Sequence, residues 1–132
     1  MPTPLTPTTV VYGFSSAADP QISPDGARIV YGLSKAGMIH LTKSAAISLG
    51  EEGIRVCCVC PAAVDTGMMA KNFAERRQTG GDKDVEAFMA KLLVKRLSRP
   101  DEIAELIAYL ASEKAAYITG GSIDISGGLD MH

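Results

Sequence analysis

The chain has 132 residues, 46% of them apolar, which suits one globular domain with a closed core and is too short for two. Thirteen Lys and Arg stand against fifteen Asp and Glu, for a formal charge of -2, and the signs alternate through the most charged stretch, Lys71 to Arg96; this argues against nucleic acid or an anionic membrane as a partner. No apolar run approaches the roughly 18 residues needed to span a bilayer, and the N-terminus has no basic segment followed by an apolar one, so a soluble cytoplasmic protein is expected.

Residues 1–9 place Pro2, Pro4 and Pro7 among threonines, a composition that resists helix and central strand and is expected to form a disordered lead. Order should begin at Val10, giving one domain over 10–132. Val10-Val11-Tyr12-Gly13-Phe14 reads as a buried strand that opens into a loop at Ser15-Ser16. From Tyr31 to about Leu49 there is no proline, alanines are frequent, and Leu33, Gly37, Leu41 and Ala45 line one helical face, with Gly50 and Gly53 as the stop.

Ile54 to Cys60 is a nearly continuous apolar run closed by Pro61, the pattern of a strand covered on both faces in a parallel sheet. Its three cysteines, Cys57, Cys58 and Cys60, read as small buried hydrophobes. Neighbours on a strand point to opposite faces and do not bridge, and a metal would need ligands that His40 and His132 are badly spaced to give.

Residues 64–81 form a polar, glycine-bearing stretch in which Met68 and Met69 are expected to pack. Val85, Phe88, Met89, Leu92 and Leu93 then recur at helical spacing. Pro100 opens a further helix, with Asp101 and Glu102 at the positive end of its dipole and Ile103, Leu106, Ile107 and Leu110 as its inward stripe. Gly120-Gly121 leads into a last strand, Ser122 to Ser126, ended by Gly127-Gly128. The order is strand, helix, strand, two helices, strand, an alternating α/β pattern.

At Tyr31-Gly32-Leu33-Ser34-Lys35-Ala36 the chain resembles the short-chain dehydrogenase/reductase signature, Tyr-x-x-x-Lys followed by Ala. The resemblance gains weight from the order of further matches. These are a Ser pair ahead of the tyrosine, Cys-x-Cys-Pro-x-x-Val-x-Thr from Cys58 to Thr66, Pro-Asp-Glu-Ile-Ala from Pro100, and Thr-Gly-x-x-x-x-Ile-x-Gly-Gly from Thr119. Ala62 stands where the family usually has Gly, and Ser126 where it usually has Asp.

The resemblance implies a partial Rossmann-like, doubly wound parallel sheet of about three strands with three helices. It begins at the family's fifth strand, and no Gly-x-x-x-Gly-x-Gly turn lies between a strand and a helix to hold a pyrophosphate. The N-terminal dinucleotide-binding half is therefore expected to be absent, either truly or because the reading frame continues upstream.

An NAD(P)-dependent oxidoreductase of a carbonyl or alcohol is implied, with NAD or NADP as cofactor. Tyr31 and Lys35, one helical turn apart, can project to one point. A phenol is a poor base at neutral pH, and an ammonium within roughly 4–6 Å favours the phenolate, which makes such a pair a usable proton donor and acceptor. By resemblance Tyr31 exchanges the proton with the substrate oxygen, and Ser16, with Ser15 as the alternative, hydrogen-bonds that oxygen. Lys35 also binds the nicotinamide ribose, while Pro61, the backbone near Val64 and the Thr66 hydroxyl lie at the carboxamide.

Substrate choice would rest largely with residues 65–97, where Arg76, Arg77 and the methionines are candidates. Without a partner for its apolar helix face, an isolated copy is expected to be sticky, unstable or obligately paired, with itself or with an intact family member. This opens a second class of function, a catalytically inactive, truncated relative that serves as an interaction or regulatory subunit.

Overall fold

The computed structural model describes residues 27–129. The expected lead, the strand Val10 to Phe14 and both candidate serines lie outside the described residues. Within them, helix α1 (Ala27–Leu49) passes through a 3-10 turn (Gly50–Glu52) into strand β1 (Cys58–Pro61). Helices α2 (Gly67–Gln78), α3 (Asp82–Lys91) and α4 (Pro100–Ala111) come next, then a second 3-10 turn (Glu113–Ala115) and strand β2 (Ser122–Ile125).

The two strands pair in parallel, Cys58 against Ser122 through Pro61 against Ile125. A parallel pair needs a covered crossover, and α4 covers it. Cys57 and Val59 pack with Ile103, Leu110 and Ala115 as the buried centre, and Leu106, Ile107, Ile123 and Ile125 close round them.

Arg55 is buried beside this core, 9% exposed, and donates to the carbonyls of Leu110 (2.8 Å), Ser112 (3.1 Å) and Ile118 (3.1 Å). A guanidinium there satisfies carbonyls that the end of α4 leaves without helical partners and complements the negative pole of the helix.

The Thr119-Gly120 pair explains its own place in the motif. Thr119 Oγ1 accepts the Val56 amide at 3.1 Å, and the Gly120 amide donates to Val56 O at 2.7 Å. Gly120 takes a φ of 71°, a left-handed turn that glycine makes without strain. Together these bonds stitch the approach to β2 onto the approach to β1.

Five expectations are corrected. The described residues carry the two expected strands that fall within them and four helices where three were expected. The additional helix is α2, where a polar connection was expected. Thr66 caps it by accepting the Met69 amide at 3.4 Å, Arg76 and Arg77 occupy its last turn, and none of its residues is buried, so it has no apolar stripe to announce it. Met68 is 75% exposed and does not pack.

Helix α1 starts at Ala27, ahead of the expected Tyr31. Its buried residues are Thr42 and Ala46, with Met38 half-buried, so the packed face is turned by one residue, about 100°, from the stripe Leu33-Gly37-Leu41-Ala45. Leu33 (68%) and Leu41 (57%) remain exposed. Finally, ladder pairing starts only at Cys58, although Arg55 to Cys57 are already buried.

The cysteines behave as expected. All three are buried thiols, and burial raises the Cys57 pKa, an effect partly opposed by the nearby Arg55 charge.

Candidate active site

Tyr31 and Lys35 come together. The ammonium of Lys35 lies 5.2 Å from the centroid of the Tyr31 ring. At 100° per residue both fall on the face of α1 that carries Met38, Thr42 and Ala46, the face that packs. Exposure rises along that face, from buried Ala46 and Thr42 through half-buried Lys35 to half-exposed Tyr31.

Connectivity explains the gradient. Gly53, with φ 73°, and the Ile54 amide, bonded to Leu49 O at 3.2 Å, reverse the chain between α1 and β1. The helix therefore runs back alongside the strand. Fourteen helical residues from Leu49 to Lys35 rise about 21 Å, and seven extended residues from Ile54 to Pro61 rise about 23 Å. By these rises Lys35 comes about level with the carboxyl end of β1 and Tyr31 about one turn beyond it, the end at which ligands of open α/β sheets bind.

The segment leaving β1 is held rigidly. The Asp65 amide donates to Ser98 O at 2.8 Å, the Ser98 amide donates to Ala63 O at 3.0 Å, and Ser98 Oγ donates to the same carbonyl at 3.0 Å. In this parallel bridge between Val64 and Ser98 the bonded groups belong to residues 63 and 65. The N–H and C=O of Val64 consequently point to the other side. A nicotinamide carboxamide carries one acceptor and one donor group, so this edge of backbone fits it, with the Thr66 hydroxyl next along the chain. Ser98 is the tether of this segment, which the sequence does not announce. The Pro-x-x-Val-x-Thr motif gives no hint of a tether from a residue so much later in the chain.

Beyond that tether lies a cleft of about 220 Å³ bounded by Ala63, Leu92, Arg96, Ser98, Glu102 and Ser126. Arg96 and Glu102 form a two-bond ion pair on its wall, at 2.7 and 2.6 Å. Arg76 and Arg77, candidates for substrate contact, are exposed on α2, and Arg77 lies 3.6 Å from Asp82. Among the described residues no cluster of three or more His, Cys, Asp or Glu side chains could hold a metal, and no helix is long and apolar enough to cross a membrane.

A parallel strand pair with helices packed on it is an α/β arrangement of the Rossmann-like kind. A family model described as "Enoyl-(Acyl carrier protein) reductase" matches residues 7–130. "Dehydrogenase/reductase SDR family member 6" of Aquarana catesbeiana is 41% identical over 104 residues, which make up 79% of this chain and 42% of that protein.

Among solved structures, a short-chain dehydrogenase/reductase from Serratia marcescens aligns with TM-score 0.72 at 32% identity, over 94% of this chain and 46% of that one. YwfH, described as an NADPH dependent reductase involved in bacilysin biosynthesis, aligns with TM-score 0.76 at 27% identity, over 93% of this chain and 46% of its own. The chain belongs to the short-chain dehydrogenase/reductase family. It spans about two fifths of the length of most of the curated relatives it matches, and 18% of one of them.

Proposed function

We propose that this chain carries the proton-transfer half of an NAD(P)-dependent oxidoreductase acting on a carbonyl or alcohol. The observation that supports it is the Tyr31-Lys35 pair, with the ammonium 5.2 Å from the ring, on the helical face of α1 that carries buried Thr42 and Ala46. Tyr31 donates its phenolic proton to a carbonyl oxygen in the reductive direction and takes it back from an alcohol in the other. Lys35 reaches the ribose hydroxyls.

Ser16 is assigned the hydrogen bond that holds the substrate oxygen, with Ser15 as its alternative. Pro61 ends the strand, and Val64 offers backbone N–H and C=O to a carboxamide. Thr66 uses an oxygen lone pair on the Met69 amide and keeps its proton to donate. When bound, NADH or NADPH supplies the hydride; the protein's part is to orient and to move the proton. The site is assigned to an assembly, either a homo-oligomer or a pairing with an intact family member.

The test is a fluorescence titration of NADH and of NADPH with the 132-residue chain, alone and mixed with an intact family member, beside the Lys35→Met variant. Saturable binding weakened by K35M is expected. Binding that K35M leaves unchanged, or none in either mixture, overturns the reading.

A second reading, an interaction subunit without chemistry of its own, draws on the exposed apolar residues of α1, Leu33, Leu41 and Ile47, the last 81% exposed. Sedimentation of the chain with and without an intact family member separates the two. A complex that forms without nicotinamide binding favours the subunit.

A further inference from the structure

We propose that Ser98 is a positioning residue for the nicotinamide carboxamide, acting through the backbone on either side of Val64; the proposal rests on the oxidoreductase reading above. Ser98 makes three hydrogen bonds to this segment. Its amide and its Oγ both donate to Ala63 O, each at 3.0 Å, and its carbonyl accepts the Asp65 amide at 2.8 Å. All three go to the neighbours of Val64, and none to Val64 itself.

Peptide planarity carries their effect to Val64. The Ala63 carbonyl and the Val64 N–H belong to one rigid trans unit and point in opposite directions, and the Val64 carbonyl and the Asp65 N–H belong to the next. Holding Ala63 O therefore aims the Val64 N–H, and holding the Asp65 N–H aims the Val64 C=O. One residue thus sets both the donor and the acceptor that a carboxamide requires. A peptide unit bonded at a single point still rocks about the axis through its two Cα atoms. Two donors converging on Ala63 O occupy both of its lone pairs and oppose that rocking.

Ser98 is itself held on both sides. Glu102 takes Arg96 in two bonds of 2.7 and 2.6 Å and the Arg99 amide at 2.8 Å, and Arg96 also donates to Leu97 O at 3.0 Å. Glu102 lies in the first turn of α4 beside buried Ile103, so a continuous strut runs from the hydrophobic core through residues 96–99 to Val64. Alanine at position 98 keeps the two backbone bonds of this strut and loses the third. Because Ser98 acts on the carboxamide edge, it should matter to a ligand that carries nicotinamide and not to ADP-ribose, the same molecule without that ring.

The test is amide NMR of the full chain, isotope-labelled alone so that its signals report its own site, with and without an unlabelled intact family member. NADH, NADPH and ADP-ribose are the probes. In the wild type the reduced nucleotides are expected to displace the Val64 amide signal and ADP-ribose to leave it in place. Ser98→Ala is expected to bind the reduced nucleotides at least about threefold more weakly and ADP-ribose as the wild type does. A Val64 signal that ADP-ribose moves as far as NADH does overturns the proposal, and that result needs no variant. So does an S98A that binds every probe like the wild type, or one that stays folded and loses all of them equally; in each of these cases the oxidoreductase reading stands. A wild type that binds neither reduced nucleotide, alone or in the mixture, overturns both.

Discussion

The carboxylate of Glu102 holds Arg96 through two bonds of 2.7 and 2.6 Å and also accepts the Arg99 amide at 2.8 Å. One side chain thus caps the N-terminus of α4 and fastens the segment that delivers Ser98 to Val64.

The bond from Arg96, helped by the Arg99 amide, holds the Glu102 carboxyl down to about 2. A carboxyl lowered on folding stabilises above its unfolded value near 4.5, and that contribution disappears as pH falls toward 2. Glu102→Gln should therefore melt below the wild type at pH 7 and converge on it near pH 2. Asp101, lowered chiefly by its bond from Arg99, titrates in the same direction in both proteins. A difference in Tm that stays constant from pH 7 to pH 2 would contradict this.

Arg55 has no substitute among the other residue types. Arg55→Met keeps the stem and strands three carbonyls, at a cost of about 1–3 kcal/mol in urea unfolding. Arg55→Lys should recover only part, since an ammonium does not reproduce the planar fork. Equal stability of wild type and R55M would show that water replaces the guanidinium.

Gly128 is closed in by Leu93. A Cβ built there would lie 2.7 Å from Leu93 Cγ and Cδ1, and φ is +80°. Gly128→Ala should cost about 2–4 kcal/mol, from overpacking together with about 1–2 kcal/mol for the left-handed backbone. Adding Leu93→Ala should restore the part due to the clash and leave the backbone part. A double variant no more stable than G128A would remove Leu93 from the explanation.

Tyr31→Phe removes one hydroxyl from a half-exposed ring. Carbonyl reduction by the competent assembly should fall by about 10²–10⁴ while Tm stays unchanged. A variant that keeps its turnover removes Tyr31 from proton transfer.

Leu110 and Leu33 are both helical leucines, 1% and 68% exposed. Leu110→Ala should cost about 2–5 kcal/mol and Leu33→Ala less than about 0.5 kcal/mol by chemical denaturation of the isolated chain. A large loss for L33A would mean that α1 is covered in solution.

Much of the frame was legible because it is written in burial. The apolar run from Ile54 to Cys60 and the stripe of α4 each name their faces: Arg55 to Cys60, Ile103 and Leu110 are buried, and Ile54, Leu106 and Ile107 partly so. Helix α2 was illegible for the complementary reason: its residues bury nothing, and only the Thr66 cap and the two terminal arginines mark it. The face of α1 was misjudged because Thr42, the residue that packs most completely, is polar. It hides its hydroxyl by donating to Met38 O at 2.9 Å, a bond internal to the helix that no hydropathy pattern shows. The Tyr31-Lys35 pair could be read from its spacing, whereas the Ser98 tether, joining parts of the chain far apart in sequence, could not.

Val56 and Thr119 are bonded although 63 residues separate them. Among the described residues nothing nearer in the chain pairs with β1, so its partner strand follows only after three helices. Folding is then governed by a late, long-range closure and should be slow for a domain of this size. During synthesis the strand would emerge well ahead of its partner, a period in which its edge is open to wrong neighbours and a chaperone has most to protect.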